Sequence, residues 1–104
     1  MFGPKIPKNA DLELFTIYDS VSKSYDVPTF ALNKNVLMRD VVNMFKDKNQ
    51  INNKFLLNAE HYSIFKMGNY DKKTGLVEAH NLEHIANMHD LRTMALPDTG
   101  IVPT

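Results

Sequence analysis

One stretch constrains this chain more than any other. From Asn33 to Lys48 the apolar residues recur at helical spacing, while the runs on either side read as strands. On a helix turning about 100° per residue, Leu37, Met38, Val41, Val42, Met44 and Phe45 fall within an arc of roughly 160°. Arg39, Asp40, Asn43, Lys46 and Asp47 take the opposite side. An asparagine at 33 or 35 is placed to accept from the free N–H groups of a first turn, which predicts a helix from about Val36 to Lys48. A helix with one apolar face needs a second layer to lie on.

The flanking runs supply that layer. Leu12 to Tyr18 is rich in β-branched and aromatic residues and ends at the turn-forming Asp19-Ser20-Val21-Ser22-Lys23-Ser24. Tyr25 to Ala31 follows as a second strand, with Pro28 confining it to an edge or a bulge because proline has no N–H for a ladder. His61 to Met67 and Gly75 to Ala79 make a second hairpin around Tyr70-Asp71-Lys72-Lys73-Thr74-Gly75, with Gly75 suited to a left-handed turn position. Lys48 to Lys54 reads as an exposed polar loop, and Phe55-Leu56-Leu57 as a segment tucking back onto the core. Asn81 to Met94 reads as a short helix with Leu82, Ile85, Met88 or His89, and Leu91 inward. Pro97, Gly100 and Pro103 then break regular structure.

The predicted fold is therefore α+β: an antiparallel sheet of two β-hairpins (ββαββ), one amphipathic helix on a face, and a short C-terminal helix or extended tail. Residues 1–10 form an extended arm, 11–94 a single domain and 95–104 a tail. The second sheet face calls for cover by the C-terminal segment or by another copy of the chain.

Bulk properties exclude several functions. The 104 residues leave room for one core, and a small domain gains from self-association, so a homo-oligomer, a dimer first, is expected. Twelve basic and twelve acidic residues cancel, which argues against coating nucleic acid by overall charge but leaves a local basic patch open. The absence of cysteine excludes disulfides and thiolate chemistry. Apolar runs of about three residues fall far short of the roughly 20 that span a bilayer, and Met1 to Lys8 has no apolar signal core, so a cytoplasmic location without membrane contact is expected.

Catalytic patterns are weak. His80-Asn81-Leu82-Glu83-His84 spells H-x-x-E-H, in which two histidines one helical turn apart bind zinc and the glutamate acts as base. Only Asp90 and Asp98 follow as carboxylates, so His80, His84 and His89 stand as weak metal candidates beside the reading of solvated polar residues. Ser20, Ser22, Ser24 and Ser63 lie in no nucleophile elbow, and no phosphate-binding glycine loop occurs. The expectation is a non-enzymatic protein without a cofactor.

Binding signals are stronger. Lys46, Lys48, Lys54, Lys66, Lys72 and Lys73 are interleaved with Phe55, Tyr62, Phe65 and Tyr70. Lysines with aromatic rings suit single strands held by phosphate contacts and base stacking. The nucleic-acid candidates are those six lysines with Phe55, Tyr62 and Tyr70. The competing reading keeps Phe55 and Phe65 in the core and makes the lysines a solvated rim.

Phe15-Thr16-Ile17-Tyr18-Asp19-Ser20, then Ser24-Tyr25 and Pro28-x-Phe30, then a helix containing Arg39 and Met44-Phe45, resembles the first half of the gokushovirus non-structural proteins. His61-Tyr62-Ser63-Ile64-Phe65-x-Met67-Gly68-Asn69-Tyr70-Asp71-x-x-Thr74-Gly75-x-Val77 is similar to that family's most recognisable stretch. The resemblance covers residues 14 to 77 and excludes both ends, including the histidine cluster. It implies an accessory protein of a small single-stranded-DNA phage of the Microviridae, acting in viral DNA synthesis or in delivering single strands to capsids. It carries over no binding residue. The alternative from another class is a protein-interaction module, an assembly helper or host-factor adaptor that does not bind DNA.

Overall fold

The computed structural model describes residues 11–99. Its elements are β1 (Leu12–Asp19), β2 (Ser24–Tyr25), β3 (Thr29–Ala31), α1 (Lys34–Lys46), α2 (Lys54–Leu57), β4 (Tyr62–Asp71), β5 (Leu76–Asn87) and α3 (Met88–Thr99). Short 3-10 turns occupy Lys48–Gln50 and Ala59–His61. All five strands form one antiparallel sheet in the order β2-β1-β4-β5, with β3 also paired to β1. The class is the predicted α+β.

The amphipathic helix forms where its periodicity places it, about two residues earlier at each end. Asn33 is the cap, its side chain accepting from the Val36 N–H at 2.9 Å. The helix closes at Asp47, whose N–H donates to the Met44 carbonyl at 3.1 Å while its own backbone turns extended. Val42 and Phe45 are buried, with Leu37, Met38, Val41 and Met44 packed around them.

The first hairpin departs from the prediction. Tyr25 to Ala31 is two short strands, interrupted at Asp26-Val27-Pro28. Pro28 has no ladder donor to offer, and the Asp26 N–H and carbonyl instead meet the Ile17 carbonyl and the Thr16 hydroxyl, both at 2.8 Å. The second hairpin turns as expected: the Gly75 N–H donates to the Asp71 carbonyl at 2.8 Å, and Gly75 takes φ +74°.

The main correction concerns residues 81–94. Asn81 to Asn87 is not helical but continues β5, paired with β4 through Ser63↔Asn87. The ladder tolerates the polar sequence because irregular register absorbs extra residues. Met67 stands alone opposite His80, Asn81 and Leu82, and Ile85 is extra between Ile64↔Ala86 and Phe65↔His84. The C-terminal helix begins at Met88 and runs through Pro97, so the expected break there is absent. Met88, Leu91 and Ala95 continue one buried stripe at helical spacing, which draws Ala95 into the core although the sequence placed it in the tail. The arm 1–10 and residues 100–104 lie outside the described residues.

The core joins Phe15 of β1 and Ile64 of β4 to Val42, Phe45, Ala59, Met88, Leu91 and Ala95. Phe15, Phe45 and Ile64 are each 1% exposed, and burying a side chain of this size contributes about 1.5–3 kcal/mol. Helices α1 and α3 pack against each other and share the Phe15/Ile64 face of the sheet. Among the described residues no helix covers the opposite face.

Candidate functional site

Residues directly opposite in an antiparallel ladder share a face. On the face away from the helices, Tyr18 stands opposite Tyr25 and Ser63, Thr16 opposite Phe65, and Phe65 opposite His84. Further along, Leu14 stands opposite Phe30 and Gly68, and Leu12 opposite Tyr70.

Two breaks in register create this arrangement. Strict alternation would put Phe65 and Tyr70, five residues apart on β4, on opposite faces. The extra residue Met67, between the pairs Leu14↔Gly68 and Phe15↔Lys66, brings both to the open face. In the same way, the extra residue Ile85 lets Ile85 and Ala86 pack on the core while His84 lies beside Phe65.

The rings form two groups. Tyr18 and Tyr25 have centroids 4.7 Å apart, each reaches Phe65 edge-on at 6.4 and 6.2 Å, and His84 meets Phe65 at 5.4 Å. Asn87 fixes the His84 ring, its Oδ1 lying 2.9 Å from Nε2 and also accepting from the Ser63 hydroxyl at 2.9 Å. The second group is Phe30 and Tyr70, edge to face at 5.5 Å. Tyr25 and Phe30 remain 50% and 49% exposed, far more than packed aromatics in a core. None of the ladder residues on this face among the described residues is a carboxylate.

Acids at the rim hold turns. Asp19 accepts from the Val21 N–H at 2.9 Å and from Ser22, and these bonds, Val21's first, hold its carboxyl below the usual range. Asp11 accepts from the Lys72 N–H at 2.6 Å, and Asp71 from the Lys73 N–H at 2.8 Å. Lysines therefore occupy both turns that end the open face: Lys23, at φ +58° between β1 and β2, and Lys72 and Lys73 between β4 and β5.

The residues singled out from the sequence do not form one patch. Lys54, Phe55 and Tyr62 come together on the helix side, where Lys54 lies 5.0 Å from the Phe55 ring centre and Phe55 meets Tyr62 edge-on at 4.9 Å. They line a pocket of about 250 Å³ with Asp19, Ser24 and Asp26, but both rings also pack on the core. Lys66 is largely covered and pairs with Glu13 at 3.4 Å on that side. Lys46 ends α1 and Lys48 opens the turn after it. Lys72 and Lys73 lie at the far end of the ten-residue strand β4, about 30 Å from Tyr62 at about 3.4 Å per residue. Only Tyr70, Lys72 and Lys73 of the nine stand on or beside the open face.

The weak metal candidates are also dispersed. His80 sits in the β5 irregularity with Nδ1 2.7 Å from the Asn81 carbonyl, His84 is on the open face, and His89 on α3 accepts from Arg92 at 2.9 Å. With His80 and His84 on a strand, the one-turn helical spacing of H-x-x-E-H does not arise. No group of three potential metal ligands occurs among the described residues.

Tyr18, Tyr25 and Phe30 were not singled out from the sequence, Phe65 was named only as a ring among the lysines or a core residue, and His84 only as a weak metal candidate. The signal for Tyr18 and Tyr25 was present, because they flank the Asp19–Ser24 turn and so face each other across it. Phe65 and His84 required the bulges.

A family model described as Phage ORF5 protein matches residues 12–91. The chain belongs to this family. It is a bacteriophage family, and the match spans all five strands and both core helices up to Leu91. No curated protein and no solved structure matches the chain. No helix among the described residues is long and apolar enough to cross a membrane.

Proposed function

We propose that this Phage ORF5 family member is a non-enzymatic accessory protein of a small single-stranded-DNA phage of gokushovirus type. It acts in the host cytoplasm, in viral DNA replication or in single-strand synthesis and packaging, by holding single-stranded DNA on its open sheet face. The observation that carries this reading is the sheet face that no described helix covers, with two groups of aromatic rings, no ladder carboxylate among the described residues, and a lysine-bearing turn at each end. Unpaired bases stack on such rings with little regard to sequence, while lysines meet the phosphates. The phage family and the resemblance to Microviridae non-structural proteins support the setting.

The test is fluorescence anisotropy of a labelled oligonucleotide of about 30 nucleotides, longer than the stretch a small single-strand fold covers. Binding should weaken with salt by a slope of about −0.7 per phosphate contacted. Absence of binding at low salt would sink this reading.

One observation favours the alternative of a protein-interaction module. Met38 and Val42 of α1 and Leu91 and Met94 of α3 line an apolar groove of about 400 Å³, with Met94 62% exposed. Retention of capsid protein or a specific host factor, without DNA, would support that reading.

A further inference from the structure

We propose that the open face takes single-stranded DNA at one nucleotide per ladder row, about four in all, in a stretched form that favours thymidylate over adenylate runs; this rests on the DNA-binding role proposed above. The four rows are marked along β1 by Tyr18, Thr16, Leu14 and Leu12, alternate residues that share this face. Each row carries a ring. Tyr18 stands opposite Tyr25, Thr16 opposite Phe65, Leu14 opposite Phe30 and Leu12 opposite Tyr70.

These rings gather above β1. Phe30 and Tyr70 rise from the two strands that flank it, yet their centroids lie 5.5 Å apart, so they lean together over Leu14, which is 8% exposed. Tyr25 and Phe65 also come from opposite sides of β1 and meet at 6.2 Å, and Thr16 between their strands is 4% exposed. The result is a line of rings, with Lys23 in the turn beyond the Tyr18 row and Lys72 and Lys73 in the turn beyond the Leu12 row.

Successive rows are about 7 Å apart, two residues at about 3.4 Å each. Stacked DNA advances about 3.4 Å per nucleotide. A strand with one base on each row is therefore drawn out to about twice its stacked length, and its bases stack on protein rings rather than on one another. Adenines give up strong mutual stacking when separated and thymines give up little, so the row spacing selects against adenine runs. Such a preference follows from stacking strength and backbone flexibility, without a hydrogen bond to any base edge. Lysines beyond the first and last rows meet the phosphates that enter and leave.

The experiment titrates the full chain into labelled oligothymidylates of about 2 to 16 nucleotides, and into oligoadenylates of the same lengths, at low salt. Affinity for thymidylates should climb steeply up to about four to six nucleotides and only slowly beyond. Adenylates of equal length should bind several-fold more weakly, and the difference should narrow on warming as adenine stacking melts. Phe30→Leu and Tyr25→Leu keep apolar cover over β1 but each remove one half-exposed ring. Each should weaken thymidylate binding by about 5- to 100-fold, with a thermal unfolding midpoint near the parent's. If a variant does not fold, the length and base dependence of the parent decide alone. Equal affinity for the two bases, a steep climb continuing past about ten nucleotides, or binding unchanged by both variants would overturn the one-per-row arrangement while leaving lysine-mediated DNA binding standing. No binding at any length would instead overturn the DNA-binding reading, and this arrangement with it.

Discussion

The guanidinium of Arg92 on α3 donates to the carboxylate of Glu60 at 3.0 Å, across 32 positions of sequence. It also donates to the Leu56 carbonyl at 3.0 Å and to Nδ1 of His89 at 2.9 Å. One side chain thus ties the last helix to α2 and to the turn that joins α2 to β4. Replacing Arg92 by Ala should lower stability by about 1–2 kcal/mol, chiefly through the partly buried bond to Leu56, as read by urea unfolding.

The same pair sets a pH dependence. Donation by Arg92, the largest cause, holds the Glu60 carboxyl below its ordinary 4.5. A carboxyl depressed in the folded state contributes stability that is complete above its unfolded pKa and is lost as pH falls through the folded one. Glu60→Gln should therefore unfold slightly more easily than the parent at neutral pH and show a smaller loss on acidification. An identical acid profile for the two proteins would show that the pair contributes nothing.

Gly68 should not accept a side chain. A methyl there would collide with the backbone carbonyl of Glu78, because β4 and β5 approach closely beside the irregular register. Gly68→Ala is expected to cost about 1–3 kcal/mol, like other forced overpacking. Gly75→Ala meets open space but must take φ +74°, at a cost of about 1–2 kcal/mol from backbone strain alone. Denaturant midpoints measure both. Crystal structures would show a displaced β5 only for Gly68→Ala.

Phe45 is 1% exposed and Leu57 56% exposed, although both follow apolar stretches in the sequence. Phe45→Ala should cost about 3–5 kcal/mol, enough to threaten folding in a chain of this size. Leu57→Ala should change stability by less than about 0.5 kcal/mol. Similar losses for the two would contradict the placement of the core.

Asn33→Ala removes the bond to the Val36 N–H and should cost about 0.5–2 kcal/mol, while Asn35→Ala should be nearly silent. Unfolding midpoints distinguish the two candidate caps.

Local chemistry determined a good deal of this protein. The 3.6-residue period of Leu37 to Phe45 set α1 and its buried face, Asn33 set its start, and Asp71 with Gly75 set the second hairpin turn. Each depends on neighbours within a few positions. What the sequence left hidden depends on strand register, which no local pattern fixes. The unpaired Met67 and Ile85 reverse the alternation along β4 and β5, so Phe65, Tyr70 and His84 reach one face and Lys66 the other. The same continuation of the ladder turned Asn81 to Asn87 from a predicted helix into strand. Lysine–aromatic proximity in sequence therefore did not translate into one patch. The open face comes from bulged pairing across the sheet, and from two helices packing together on the Phe15/Ile64 side, where their apolar stripes join one core.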